Sequence, residues 1–150
     1  MRKQLNNIAM VALGLSIGFA QADEPKLGKY PKMFQADYYE VTMLRLGEDD
    51  STVLIKVDGI DNDFDGQIFL HKKLCDNTEC TNYKYETTEI PGKTRWWTVQ
   101  STRSWGDYDN MILYPPGINK KSELYSSSRP DGFDSSAFYQ EYLGQKALRE

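Results

Sequence analysis

The residues best suited by type and spacing to do chemistry lie in Asp61-Asn62-Asp63-Phe64-Asp65-Gly66, with Asp58 just upstream. Acids at alternate positions followed by glycine form the first half of a calcium loop, where oxygens converge on the ion and glycine permits the sharp turn. The second half departs from that pattern. Phe69 and Lys72 stand at the ninth and twelfth loop positions, where a ligand and a bidentate Glu belong. Asp61, Asp63 and Asp65 therefore supply a partial calcium set that needs Asp58 or a distant acid to complete it, and no other cofactor is expected. The competing reading is an acidic hairpin connection, solvated by its charges, with Asp65-Gly66 at the turn.

Signatures of catalysis are weak. His71 is the only histidine, and as a general base it would need an orienting partner that the sequence does not supply. A lone strand histidine fits a surface position or a satisfied core position better. No Gly-x-Ser-x-Gly motif occurs. A carboxylate pair of the glycosidase kind depends on spatial separation. The two cysteines, Cys75 and Cys80, enclose four residues. That spacing suits a structural disulfide in an oxidising compartment, and one pair supplies too few ligands for zinc. No catalytic residue is assigned, and the chain is expected not to be an enzyme.

Aromatic residues are abundant, with ten Tyr, six Phe and three Trp. Trp96 and Trp97 are adjacent, so in a strand they point to opposite faces, one into the core and one outward. Trp105 and Tyr108 fall in a polar stretch that reads as a loop. Exposed Trp and Tyr anchor protein interfaces and also stack on sugar rings. The candidate partner-binding set is thus Asp58, Asp61, Asp63, Asp65, Trp97, Trp105 and Tyr108.

The elements that must position these residues are mostly strands. Residues 38–46 alternate, with Tyr39, Val41, Met43 and Arg45 on one face. Residues 52–57, 67–74, 81–90, 95–100 and 111–114 follow as strands between turn signals such as Gly47-Glu48-Asp49-Asp50 and Pro91-Gly92. Residues 23–33 read as a loosely held lead-in, and residues 119–134 as an irregular loop. From Ser135 the period changes. Tyr139, Leu143 and Ala147, with Phe138 and Tyr142 beside them, mark a helix face that Asp134 or Ser135 can cap. The expected fold is mainly β: a single antiparallel sandwich or small barrel-like domain of five to seven strands with a C-terminal helix.

The N-terminus bears on the compartment. Arg2 and Lys3 precede an apolar run from Ile8 to Ala20, and Ala20-Gln21-Ala22 offers small residues where a signal peptidase reads. Residues 1–22 are expected to be a signal peptide and residues 23–150 a single exported β-rich domain, periplasmic or secreted, without a membrane span. Without the leader's Arg2 and Lys3, 16 basic residues face 22 acidic ones, a net charge of −6. This argues against nucleic acid and suits a basic protein partner. The expected function is a non-enzymatic binding protein, an inhibitor or immunity protein directed at a toxin or cell-wall hydrolase. The alternative is a carbohydrate- or peptidoglycan-binding module, calcium-assisted.

Overall fold

The computed structural model describes residues 24–103, 109–128 and 130–150. The expected leader, Trp105 and Tyr108 lie outside the described residues. Among the described residues eight strands are followed by one helix: β1 (Lys32–Gln35), β2 (Glu40–Leu46), β3 (Thr52–Asp58), β4 (Ile68–Cys75), β5 (Tyr83–Thr87), β6 (Trp96–Arg103), β7 (Asp109–Leu113), β8 (Ser122–Ser126) and α1 (Ser135–Arg149). Each strand pairs antiparallel with the next, and β8 returns to β1, so the sheet closes into a barrel. The expectation of five to seven strands is corrected to eight, and of the two expected forms the barrel is found. β1 and β8 are the added strands, from the segments read as lead-in and irregular loop. Each buries a single side chain, Phe34 or Leu124, so neither displays the alternation that announces a strand.

The pairing register decides what faces inward. Ile55 on β3 lies opposite Met43 on β2 and Phe69 on β4, while Val53 lies opposite Arg45 and His71. Met43, Val53, Ile55, Phe69 and His71 are buried inside the barrel, while Arg45 is exposed at its rim. The intervening Leu54 lies opposite Leu44 and Leu70 on the outer wall, where Phe138 and Tyr142 of α1 cover it. β3 is thus buried on both faces, which explains its continuous apolar run.

Asp134 caps α1, its Oδ1 accepting from the Ala137 N–H at 3.0 Å. The buried stripe is Phe138 and Tyr142, the residues expected beside Tyr139, Leu143 and Ala147; of those three Tyr139 packs against the same cluster. Leu143 is 39% exposed. The shift has a polar cause. Gln145 and Arg149 fall on the Phe138–Tyr142 side and bond the backbone of β4. The Ile68 N–H donates to Gln145 Oε1 at 2.7 Å, and Arg149 Nη2 donates to the Ile68 carbonyl at 3.0 Å. These contacts are needed because β4 pairs with β5 only from Lys72 to Cys75. Nearer the start of β4 the strands part, and the Leu70 N–H donates instead to Glu89 Oε2 at 2.8 Å. Glu89 Oε1 accepts from the Tyr142 hydroxyl at 2.7 Å, so side chains close the seam that strand pairing leaves open.

The two ends of the barrel differ. At one end the β3–β4 loop folds over the opening. Asn62 Nδ2 donates to the Pro116 carbonyl at 2.8 Å, Phe64 meets Phe69 edge-on at 6.3 Å, and Ile60 and Ile90 are buried beneath. Gly59 allows this closure. It has φ +98°, and a Cβ there would lie 2.2 Å from the Tyr38 carbonyl oxygen. At the other end lie the β2–β3 turn, the disulfide loop and the start of β1. Residues 24–31, expected to be loose, are held there: Gly28 N–H donates to the Arg45 carbonyl at 2.8 Å and Ser135 Oγ to the Gly28 carbonyl at 2.7 Å.

Candidate functional site

Among the described residues the second end is open, and the barrel interior is accessible through it. A cavity of 720 Å³ runs between Phe34, Met43, Tyr83, Tyr85, Met111 and Leu124, with Lys32 at its edge. A second lobe of 490 Å³ shares Lys32, Met43 and Tyr85 with it and extends to Arg45, Asp49 and Asp50. Both volumes lie in the range of small-molecule sites, roughly 300–1,000 Å³. The alternation of β2 and β5 builds the wall. Val41, Met43 and Arg45 point in from one strand, and Tyr83 and Tyr85 from the other.

The charges at the opening are unevenly committed. Asp50 Oδ2 accepts from Lys73 Nζ at 3.0 Å and from the Tyr85 hydroxyl at 3.4 Å. Burial pushes the Asp50 carboxyl up, but the hydrogen bond and charge of Lys73, with the charge of Lys32, outweigh it and hold the group below its usual value. Burial, with Asp50 next to it, raises the Tyr85 phenol well above its usual value, so it remains a donor. Lys73 also sits 4.1 Å above the Tyr83 ring. Asp49 accepts from the Ser51 N–H at 2.9 Å. Lys32 and Arg45 have no ion-pair partner among the described residues.

Ser101 on β6 is fully buried. It lies opposite Tyr83 on β5 and Met111 on β7, both of which line the cavity. Its hydroxyl finds no hydrogen-bond partner among the described residues. Buried polar groups in folded proteins are nearly always paired, so this hydroxyl stands out as a free interior polar group.

The residues singled out in the sequence occupy other places. Asp58, Asp61, Asp63 and Asp65 lie at the closed end, where Asp65 Oδ1 accepts from the Gly59 and Ile60 N–H groups at 2.7 and 3.1 Å. Burial, then the charges of Asp65, Glu40 and Glu141, hold the Asp58 carboxyl above its usual value against the opposing Lys56. Asp61 and Asp63 are exposed. Among the described residues no three His, Cys, Asp or Glu side chains group as a metal set. Cys75 and Cys80 form a disulfide with Cα atoms 4.8 Å apart, at the rim of the open end. Within that loop Asn77 Oδ1 accepts from the Thr81 and Asn82 N–H groups.

His71 is a satisfied core residue, 1% exposed. Its Nδ1 lies 2.8 Å from the Phe69 carbonyl, which can only accept, so Nδ1 carries the proton and Nε2 accepts from the Thr98 hydroxyl at 2.7 Å. Trp97 is 42% exposed on the outer wall, with its Nε1 donating to Glu86 and Lys84 Nζ 3.8 Å from its ring centroid. Trp96 is half-buried, its Nε1 bonded to the Tyr114 carbonyl.

Sequence reasoning thus found β2, β5 and β7 of the wall but missed β1, β8 and the cavity, whose residues are Lys32, Phe34, Tyr83, Tyr85, Met111 and Leu124 beside the recognised Met43 and Arg45. The available signal was the presence of Met, Tyr and Arg on strand faces otherwise reading as core. Comparison of the chain with protein-family models, with curated proteins and with solved structures gives no match.

Proposed function

We propose that the chain is an exported, non-enzymatic binding protein that carries a small molecule in the open end of its barrel. The observation that carries this reading is a closed eight-stranded barrel plugged at one end and hollow at the other, with a 720 Å³ cavity. Eight strands are the size at which a barrel interior is either filled by side chains or left with room for one small ligand. Export is supported by the leader pattern and by the Cys75–Cys80 disulfide. Strands of four to eight residues are shorter than the ~9–11 a membrane-spanning strand needs. Lys56, Lys72, Lys84 and Glu123 on the outer face favour water over lipid. The absence of an enzyme is supported by His71, whose two nitrogens are both engaged in the core.

The test is binding of the neutral fluorescent probe N-phenyl-1-naphthylamine to the oxidised protein. One molecule per chain is expected to bind, and Met111→Trp, which fills the cavity from its wall, is expected to abolish binding in a variant that still melts cooperatively. Unchanged binding by a folded Met111→Trp protein would overturn the reading.

A second reading, a protein partner of the inhibitor type, is favoured by the exposure of Trp97 on the wall and of Asp61 and Asp63 at the closed end. An exposed acidic loop speeds association with a basic partner. Reversing both charges, Asp61→Lys with Asp63→Lys, would leave small-molecule binding intact and weaken capture of such a partner.

A further inference from the structure

We infer that the open end selects a small organic anion with an apolar body, its charge at Lys32 and Arg45, its body against Met43 and Met111, and a hydrogen-bonding atom at Ser101. This rests on the reading of the barrel as a container and adds the chemistry of what it contains. Three observations carry it, each from a different part of the site.

The first is the balance of charge at the opening. Both acids there are engaged within the protein, Asp50 by Lys73 and Tyr85 and Asp49 by the Ser51 N–H. Lys32 and Arg45 line the same cavity lobe and have no such partner among the described residues. In a chain of net charge −4, an excess of cations over acids is not what composition would place at this end. A carboxylate, sulfonate or phosphate entering the opening meets two donors that no ion pair occupies, in a lobe where Lys29, Lys32 and Arg45 outnumber Asp49 and Asp50.

The second is the wall below. Met43, Met111, Phe34 and Leu124 present apolar surface to the larger lobe, and methionine adapts to irregular shapes. A bare inorganic anion would leave this surface uncovered, whereas a ligand with an apolar body covers it.

The third is Ser101. Its hydroxyl is fully enclosed and unpartnered between Tyr83 and Met111, and burying a polar group without a hydrogen bond is unfavourable. Ser101 is itself outside the lining of either lobe, so a ligand carrying a hydroxyl, carbonyl or amine some way from its charged end reaches and satisfies it by displacing the flexible Met111 side chain.

The experiment compares 8-anilinonaphthalene-1-sulfonate with N-phenyl-1-naphthylamine, which share an aromatic body and an amine and differ in the sulfonate. The wild-type protein is expected to bind the sulfonate at least ~10-fold more tightly. Lys32→Gln combined with Arg45→Gln is expected to bring the two probes to equal affinity. Both side chains are exposed, so the fold is expected to persist, and its melting curve checks this. Ser101→Ala is expected to raise the melting temperature of the unliganded protein while reducing the rise caused by saturating sulfonate. Equal affinity for the two probes in the wild type, with no effect of the double variant, would overturn the anion assignment and leave the container reading standing. Ser101→Ala binding both probes as the wild type does would remove Ser101 from the ligand's contacts. Failure of both probes to bind would end both readings.

Discussion

Replacing Glu89 by Gln tests whether side chains, rather than strand pairing, hold the barrel shut between β4 and β5. Both carboxylate oxygens of Glu89 act as acceptors. Oε2 takes the Leu70 N–H at 2.8 Å and Oε1 the Tyr142 hydroxyl at 2.7 Å, and Lys146 and Arg149 lie 3.7 Å away. Glutamine has one acceptor oxygen, so its NH₂ must face one of those two donors, and one hydrogen bond is lost. A hydrogen bond to a charged group contributes about 1.5–3 kcal/mol. The Glu89 side chain retains some solvent contact, 18% exposed, which places the expected loss near 2 kcal/mol. For a domain of this size one kcal/mol shifts the melting temperature by about 4 °C, so a fall of about 8 °C is expected by circular dichroism. The control is Glu48→Gln, which removes a surface pair with Lys26 in which Glu48 is 82% exposed and is expected to shift the melting temperature by no more than about 2 °C. If Glu89→Gln melts with Glu48→Gln, the seam is not held by this carboxylate and the account of α1 is wrong.

Three further outcomes follow from the same contacts. Asp65→Ala, which strips the acceptor from the Gly59 and Ile60 N–H groups, is expected to lower stability by about 2 kcal/mol in urea denaturation, while Asp63→Ala stays within about 0.5 kcal/mol. Equal effects would mean that the acidic loop is not organised by Asp65. Burial depresses the His71 pKa from 6.5 to about 4, so as pH falls the unfolded chain takes up its proton first. The stability His71 confers is therefore intact above pH 6.5 and is lost progressively down to about pH 4, by about 3 kcal/mol. Urea midpoints at pH 7, 5.5 and 4.5 should show that slope in the wild type and lose it in His71→Gln, and an unchanged slope would place the titration elsewhere. Opening the disulfide by Cys75→Ser with Cys80→Ser is expected to cost about 2 kcal/mol on loop closure. A much larger loss would mean that Asn77 cannot order the loop alone.

The strand core was legible because β2, β3 and β4 bury enough side chains to imprint their period on the sequence. The alternation of Val41, Met43 and Arg45 named the inward face of β2 correctly. The disulfide was legible from spacing and from the absence of other metal ligands. Closure of the barrel was not legible, because β1 and β8 are pinned by Phe34 and Leu124 alone and take their strand character from pairing with β2 and β7 and with each other. The helix face was centred on Tyr139, Leu143 and Ala147 rather than on Phe138 and Tyr142 beside them for a related reason. Hydrophobicity cannot reveal that Gln145 and Arg149 belong inside when their partners are backbone groups of a strand far away in sequence. The acidic loop drew attention through its composition, yet Asp65 turned out to brace the plug. The cavity residues escaped notice because methionine and tyrosine on a strand face look the same whether they meet a neighbour or an opening.

The contact between β1 and β8, which pairs Phe34 with Ser126, also sets when folding can finish. Most neighbouring strands join through short connections and can zip in sequence order, but this last pairing closes a loop across nearly the whole domain, and such non-local contacts form late and slowly. A chain emerging from its N-terminus therefore has no closed barrel to commit to until its final strand is free. On the export proposed above, that delay would keep the segment still inside the cell open for transport and make arrival of β8 the event that lets the barrel close.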